Sequence, residues 1–532
     1  MIDIVLSDKA YENDFYPLVK AFYPEETVKV YSMEEFAGHQ KDRHKTYGTW
    51  EKSLPEKGFL LPGQEKTEGQ PDRGMRIEVE LQREFFLIRI IGINKVVRQD
   101  EDKEGSAASR EKRVPCLSEA LTKAQYKNTL KRALYQLLSQ EVKRELPWGI
   151  LTGIRPTKLV YELLEQGTPE DGIKARMHEE YLCSGEKVDM SIQIARRELQ
   201  LLSEMDYRKG YSLYIGIPFC PTTCLYCSFT SYSIAKFAGL VEDYLVALEK
   251  ELEYAATCFP DKKLTTVYLG GGTPTTLAAG QLDRLLGRVR QLFDFSNVKE
   301  FCVEAGRPDS ITPEKLQVLK KWGVSRISIN PQSMQQGTLD LIGRQHSVEE
   351  VKEAFHMARE AGHNNINMDI IIGLPGERPE DVADTLRQIR ELEPESLTVH
   401  TLAIKRAARL NLERDNYARL KASEVPRMLE ETVRFAKENS YLPYYLYRQK
   451  NMADNLENIG YSRYGKEGLY NILIMEEKQT ILALGAGGMS KFVFHKENRL
   501  ERVDNVKSVT DYINRIDEMI GRKRDFIARN DI

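Results

Sequence analysis

Residues 214–232 read YIGIPFCPTTCLYCSFTSY. An apolar, β-branched run leads into Pro218, and Cys220, Cys224 and Cys227 follow at CxxxCxxC spacing. That spacing puts three thiols on one loop directly after a strand. Thiolates are soft ligands that suit iron–sulfur clusters and zinc. Structural zinc sites almost always take four protein ligands, and this loop offers three, with no fourth Cys and no His beside them. Three ligands on a four-iron cubane leave one iron open to a substrate or cofactor. The competing reading is a zinc knuckle completed from a distance by Cys258, Cys302 or a His. Seven cysteines in 532 residues are too few, and odd in number, for a disulfide scaffold.

Outward from this loop, residues 206–405 alternate short apolar runs with amphipathic stretches. Strands are predicted at Ser212–Ile217, Thr266–Leu269, Glu300–Glu304, Arg326–Ile329, Asn365–Ile372 and Ser396–Thr401. Helices fit between them at Leu240–Ala255, Ala279–Leu292, Thr312–Trp322, Val348–Ala361 and Pro379–Glu391. Six strands separated by five helices is the rhythm of a parallel sheet with crossover helices. Such sheets bind ligands at the carboxyl ends of their strands.

Two flanking regions have a different texture. Residues 1–205 open with a strand-like IDIVL, and Arg76–Lys95 has the alternation of a hairpin or small sheet. Arg98–Arg113, RQDEDKEGSAASREKR, reads as a charged loop. A helix is predicted from Leu117 to about Glu145, with Leu121, Ala124, Leu130, Ala133, Leu134, Leu137 and Leu138 on one face. WGILTGIRPTKL, Trp148–Leu159, is a loop-to-helix passage, and Ser191–Glu204 is helical. Residues 406–532 carry helix candidates at Ala422–Asn439 and Val509–Arg524, a strand-like LYNILI and a glycine-rich LALGAGGMSKF; they read as an α+β cap. A net charge of −3 argues against a general nucleic-acid binder. No run of about 18 apolar residues predicts a transmembrane helix. The N-terminus meets Asp3 and Asp8 too early for a signal peptide, so the expected location is the cytoplasm.

Polar residues recur where the strands end. LGGGTPT, Leu269–Thr275, follows the second strand, and its glycines would let backbone approach a ligand and expose N–H donors. Glu304 ends the third strand, where a carboxylate can accept from an ammonium or a ribose. Gln332 follows the fourth. Arg344, in LIGRQHS, can form a two-point pair with a carboxylate, which a lysine cannot. Asp369 sits amid apolar residues in NINMDIIIGLPGE and needs partners.

CPTTCLYC, with Tyr226 beside the third cysteine, resembles the signature of the radical S-adenosylmethionine enzymes. YIGIPFC, LGGGTPT, VEAGRPDS, INPQSM, GRQHS and INMDIIIGLPGE together resemble the oxygen-independent coproporphyrinogen III oxidases, properly dehydrogenases, over about 160 residues. WGILTGIRPTKL and the long N-terminal region look like their Z-type branch. The resemblance implies an α/β fold: a partial (βα)6 TIM-like barrel at 206–405, an N-terminal α+β domain at 1–205 and a C-terminal α+β cap at 406–532. It implies a [4Fe–4S] cluster on Cys220, Cys224 and Cys227. Tyr214, Gly271 and Glu304 would touch the cluster-bound S-adenosylmethionine. Tyr226, Ser228, Gly272, Thr273, Gln332, Arg344, Asp369 and Ala403 match positions lining the rest of the pocket, where the best-known branch holds a second S-adenosylmethionine. Phe229 departs from that branch, which carries a cysteine there; related heme chaperones carry phenylalanine.

The implied reaction is decarboxylation of two propionates of coproporphyrinogen III, or of a related tetrapyrrole, to vinyl groups. Hydrogen abstraction by a radical derived from S-adenosylmethionine starts each one. A low-potential donor such as flavodoxin or ferredoxin would reduce the cluster. A polycarboxylate substrate needs cations, for which Arg307, Lys405, Arg406 and Arg409 are candidates. The alternatives are a heme-trafficking chaperone on the same core, and a radical methyltransferase or heme-opening enzyme acting on a porphyrin.

Overall fold

The structure is a computed structural model, and it describes residues 1–24, 26–38, 74–81, 85–93, 109–115, 122–153, 155–227, 231–402, 424–448 and 456–530. They form two compact units, Met1–Gly153 with Asp171–Val188, and Ile154–Glu170 with Asp189–Ile532.

In the first unit five strands pair in the order Val28–Ser32, Ile2–Leu6, Gly74–Leu81, Phe85–Ile93 and Ser109–Pro115. The first two pairings are parallel and the last two antiparallel. The hairpin expected in Arg76–Lys95 is therefore present. Ile4, Leu6, Ile77, Val79, Ile88 and Ile90 alternate onto one buried face, where they meet Phe15, Leu18 and Phe22 of the helix Glu12–Phe22. The long helix Lys123–Val142 packs there too. It starts at a capping box between Thr122 and Gln125 and buries Leu130, Ala133, Leu134, Leu137 and Leu138. Ala124 is exposed, and Leu121 lies outside the described residues. One expectation fails here. REKRV is an edge strand paired with Phe85–Ile93, not part of a loop. Its charged side chains look like loop composition, but charge is what protects an exposed sheet edge from adding another strand.

The second unit holds the parallel core. Its strands are β1 (Gly210–Ile217), β2 (Lys263–Gly271), β3 (Glu300–Glu304), β4 (Arg326–Ser328), β5 (Ile366–Ile372) and β6 (Ser396–Thr401), hydrogen-bonded in that sequential order. All five pairings are parallel. The helices Val241–Ala255 (α1), Ala279–Leu292 (α2), Pro313–Lys321 (α3), Val348–Glu360 (α4) and Pro379–Leu392 (α5) fall between consecutive strands. The predicted six-strand, five-helix rhythm is thus the one observed, with ends displaced by three residues at most. Among the described residues the array is open, and the chain after residue 424 extends both edges. Asn458–Ser462 pairs antiparallel with β6, and Leu442–Tyr447 pairs with it in turn. On the other side Thr480–Leu484 lies parallel to β1, followed by the hairpin Met489–Phe494 and Arg499–Asp504.

LYNILI is a second departure: Leu469–Glu476 is a helix, not a strand. A short, almost wholly apolar run has no period that separates a buried strand from a buried helix. Here Tyr470, Ile472 and Leu473 bury different sides of one helix, and Glu477, left-handed at φ 50°, stops it. Val509–Arg524 is also two helices, Val509–Asn514 and Ile516–Asn530. The second docks on α1 through a sealed polar knot. Lys523 Nζ donates to Glu251 Oε1 at 2.7 Å and to Asn505 Oδ1 at 2.6 Å. The Tyr512 hydroxyl and the Gly485 N–H donate to Glu251 Oε2 at 2.6 and 2.9 Å. Both charged side chains are fully buried. Among the described residues no helix is long and apolar enough to cross a membrane.

Candidate functional site

The cysteine loop leaves the carboxyl end of β1. Phe219–Cys220 pairs with Tyr232–Ser233 and closes its neck. Leu225 is buried among Leu339, Ile342, Ile371, Leu374 and Leu402, and its N–H donates to Ile342 O at 3.0 Å. Cys224 is buried; Cys220 and Cys227 are half-buried. Burial pushes the Cys220 thiol up to about 11, with Cys227 and Cys224 adding to the rise against a bond from Thr273. The Cys220 Sγ to Thr273 Oγ1 distance is 3.5 Å. Metal coordination would reverse that rise, because only the thiolate binds.

LGGGTPT runs off β2 against this loop. Gly272 N–H donates to Ile217 O at 2.8 Å and Thr273 N–H to Phe219 O at 2.7 Å. A Cβ on Gly272 would meet Phe219 O at 2.5 Å, so only glycine allows the approach. These two N–H groups hold the end of β1 and the start of the cysteine loop and are not exposed to a ligand, contrary to the expectation from sequence.

Beyond the glycines lies a polar floor with aromatic walls. Tyr268 donates its hydroxyl to Glu304 Oε1 at 2.5 Å. The rings of Tyr214, Tyr268 and Tyr470 stack with centroids 4.4–6.2 Å apart. The Tyr214 hydroxyl lies 3.4 Å from where a Gly271 Cβ would stand, and a Cβ on Gly270 would crowd the Glu304 carboxyl at 2.9 Å. Burial, with help from Asp369, pushes the Glu304 carboxyl up to about 7, against bonds from Tyr268 and the Gly271 N–H. Burial alone would raise Asp369 too, but His400, Asn367 and Thr398 hold it below its ordinary value. Asn367 Nδ2 donates to Asp369 Oδ1 at 2.6 Å, and His400 Nε2 lies 3.7 Å from Oδ2. Gln332 takes a left-handed backbone, φ 69°, rare for a residue with a side chain. Its N–H bonds Asp369 O at 2.9 Å, and its buried Oε1 has no hydrogen-bond partner. Strain and an unsatisfied buried acceptor at one residue suit a position where a ligand donor would bind.

The raised Glu304 gives a stability prediction. The folded carboxyl keeps its proton to about pH 7, while an unfolded one releases it near 4.5. The cofactor-free chain therefore loses stability as pH rises through that window, by on the order of 3 kcal/mol at pH 8. Glu304→Gln should unfold at a higher temperature than wild type at pH 8, with a smaller gap at pH 5. Equal gaps at both pH values would count against the raised carboxyl.

Arg344 does not reach into this floor with a free fork. Its Nε and Nη2 donate to the Tyr226 hydroxyl at 3.3 and 3.0 Å, and its Nη1 to Asn330 O at 2.6 Å and Gly306 O at 3.4 Å. Four contacts engage most of the five N–H groups a guanidinium carries. Arg344 thus ties the cysteine loop to the segments after β3 and β4. Arg307 was expected among substrate-facing cations; it is 3% exposed and committed to the protein instead. Its Nη1 reaches Thr222 O at 3.2 Å and Cys224 Sγ at 3.6 Å, and its Nη2 reaches Thr222 Oγ1 at 3.0 Å. Ser228, Phe229, Ala403, Lys405, Arg406 and Arg409 lie outside the described residues. Sequence reasoning missed Tyr268, Tyr470 and His400. For Tyr268 a signal existed, since it sits opposite Tyr214 in the β1–β2 register.

The donor set fits a multi-iron cluster. Among the described residues no three His, Cys, Asp or Glu side chains converge as a single ion requires. Thiolates that each bind their own iron need no such convergence, and the N–H directed at Cys224 Sγ suits a thiolate. The radical SAM superfamily profile matches residues 214–389. Over 419 residues the chain is 44% identical to the oxygen-independent coproporphyrinogen-III oxidase-like protein HemZ of Bacillus subtilis, spanning 78% of this chain and 84% of that protein. It is 40% identical over 197 residues to the heme chaperone HemW of Bacillus subtilis, 36% of this chain and 51% of that one. The solved coproporphyrinogen III oxidase HemN of Escherichia coli aligns at 24% identity over 60% of this chain and 73% of its own, with a TM-score of 0.48. The match over most of both chains places this one in the radical SAM superfamily and, within it, in the family of HemZ-type coproporphyrinogen-III oxidase-like proteins. The superfamily uses a [4Fe–4S] cluster and S-adenosylmethionine.

Proposed function

We propose that the chain is an oxygen-independent coproporphyrinogen III dehydrogenase, converting two propionates of its substrate to vinyl groups to give protoporphyrinogen IX. The observation that carries the reading is the 44% identity to HemZ, which extends well beyond the radical SAM core. In this reading Cys220, Cys224 and Cys227 hold the cluster. Gly271, Tyr214 and Glu304 cradle the amino end of S-adenosylmethionine, with Thr273 behind the glycine turn. The unsatisfied Gln332 and the ionised Asp369 accept from its hydroxyl or ammonium donors. Bound there, the cofactors supply one-electron cleavage of a sulfonium and removal of a hydrogen atom from a substrate carbon. The tyrosine stack and the buried floor exclude water from that carbon. Gly272 positions the cysteine loop, and Tyr226 is held by Arg344. Ser228 and Ala403 belong to the same pocket by resemblance alone.

Anaerobic reconstitution with iron and sulfide, then assay with coproporphyrinogen III, dithionite and S-adenosylmethionine, tests the reading. Vinyl product and released CO2 support it. A second reading, heme trafficking without decarboxylation, is favoured by Phe229 and by the HemW match; tight heme binding with no vinyl product would select it. Arg344 gives a narrower test. Arg344→Ala should weaken S-adenosylmethionine binding about tenfold, roughly 1.4 kcal/mol, while the cluster iron stays, because it frees Tyr226 and unties the cysteine loop from the segments after β3 and β4. Arg344→Lys should restore only part of the affinity, since an ammonium cannot span Tyr226 and Asn330 O together. Unchanged affinity in Arg344→Ala would remove it from the pocket.

A further inference from the structure

We propose that Arg307 and Asp309 form a charge pair that sets the reduction potential of the cluster through Cys224. The inference rests on the cluster reading above and adds a role for two residues outside the ligand set. Arg307 follows β3 and is 3% exposed, yet among the described residues it meets one carboxylate, Asp309. Its Nε and Nη2 bind Asp309 Oδ1 and Oδ2 at 3.0 and 2.7 Å, a two-point grip. The opposite edge of the guanidinium faces the cysteine loop, holding Thr222 by backbone and side chain and pointing Nη1 at Cys224 Sγ, 3.6 Å away.

A loop clamp alone would not need that last contact. Iron–sulfur potentials respond to net charge, to hydrogen bonds at the sulfurs and to exposure. Reduction adds one negative charge to the cluster, so a buried guanidinium donating to a ligand sulfur stabilises the reduced state and raises the potential. Asp309 offsets part of that charge. The two residues therefore push in opposite directions, although each is a hydrogen-bond partner of the other. Arg344, also fixed against the loop through Tyr226, supplies a second buried cation that both variants below leave in place. Burial, then Arg344 and Arg307, pushes the His346 imidazole down to about 3, so it adds no charge at working pH.

The test is a redox titration of the reconstituted chain, followed by the optical and paramagnetic signals of the cluster, without substrate or S-adenosylmethionine. Arg307→Gln should lower the potential. At a fixed ambient potential its oxidised-to-reduced ratio should rise at least tenfold, which is 59 mV for a one-electron couple. Asp309→Asn should move the ratio the other way. A purely structural role would weaken cluster retention in both variants without shifts of opposite sign. Wild type and variants are first compared for iron and sulfide content. Failure of wild type to load four irons overturns the cluster reading, and this inference with it. A loaded wild type with both variants within threefold of its ratio overturns this inference alone. Should Arg307→Gln load no cluster, Asp309→Asn decides: a raised potential supports the pair, and an unchanged or lowered one overturns it.

Discussion

Single replacement of Cys220, Cys224 or Cys227 by Ala is expected to abolish cluster assembly, taking iron content from about four per chain to near zero and removing the brown colour. The three thiols share one loop that is pinned at both ends, by the Phe219–Tyr232 pairing and by Leu225 against Ile342. No spare thiol stands on that loop. Cys258 lies after α1 with its Sγ directed at Tyr254 O, and Cys302 points from the middle of β3, where burial pushes its thiol well above the ordinary range. Cys258→Ala and Cys302→Ala should therefore keep full iron content, and loss of the cluster in either would sink the three-ligand model. The loop mutants should remain folded, since Cys220 and Cys227 are only half-buried and none of the core strands depends on them. Thermal unfolding of the iron-free forms checks that point.

The second large effect concerns stability far from the cluster. Lys523→Met should destabilise the second unit by about 3–5 kcal/mol, because it leaves the Glu251 carboxylate buried without its cation. Replacing both members of a buried pair by apolar residues is often close to neutral. Here it would not be, because Tyr512, Asn505 and the Gly485 N–H all donate to Glu251 and would lose their acceptor. Lys523→Met with Glu251→Leu should thus recover only part of the loss. Denaturant midpoints give both numbers, and a single-mutant cost below about 1 kcal/mol would show that the knot is wetter than its geometry implies.

The core was legible where period and punctuation agree. Glu300–Glu304 and Ser396–Thr401 lie where their short apolar runs place them, and Val348 starts α4 behind a Ser347–Glu350 capping box. The positions of Glu304, Gln332 and Asp369 at or in neighbouring strands followed from the same rhythm. What failed was whatever depends on partners distant in sequence. LYNILI is apolar but for Asn471 and carries no helical period, so its packing on β2 and Leu442–Tyr447 decides for a helix. REKRV becomes a strand because Phe85–Ile93 lies beside it. Arg307 looked like a surface cation because nothing local announces that Thr222 and Cys224, over 80 residues earlier, will close over it. Tyr470 reached the site by the same unforeseen helix. Charge and apolarity can be read from a string; enclosure cannot.

β1, the strand that carries the cysteine loop, is completed on its outer side by Thr480–Leu484, with Tyr211 opposite Thr480. A ribosome adding 5–20 residues per second needs roughly 15–50 s to make the chain between those two positions. For that interval the cysteine-bearing strand has an uncovered edge, and the opposite edge at β6 waits for Asn458–Ser462. The nascent core is therefore a template for wrong partners during most of its synthesis. Inserting an oxygen-sensitive cluster into it before release would commit metal to an unfinished sheet. The order of manufacture thus favours metal arriving last, after the tail has closed both edges, and a chain truncated before residue 456 should aggregate as it is made instead of yielding a smaller working core.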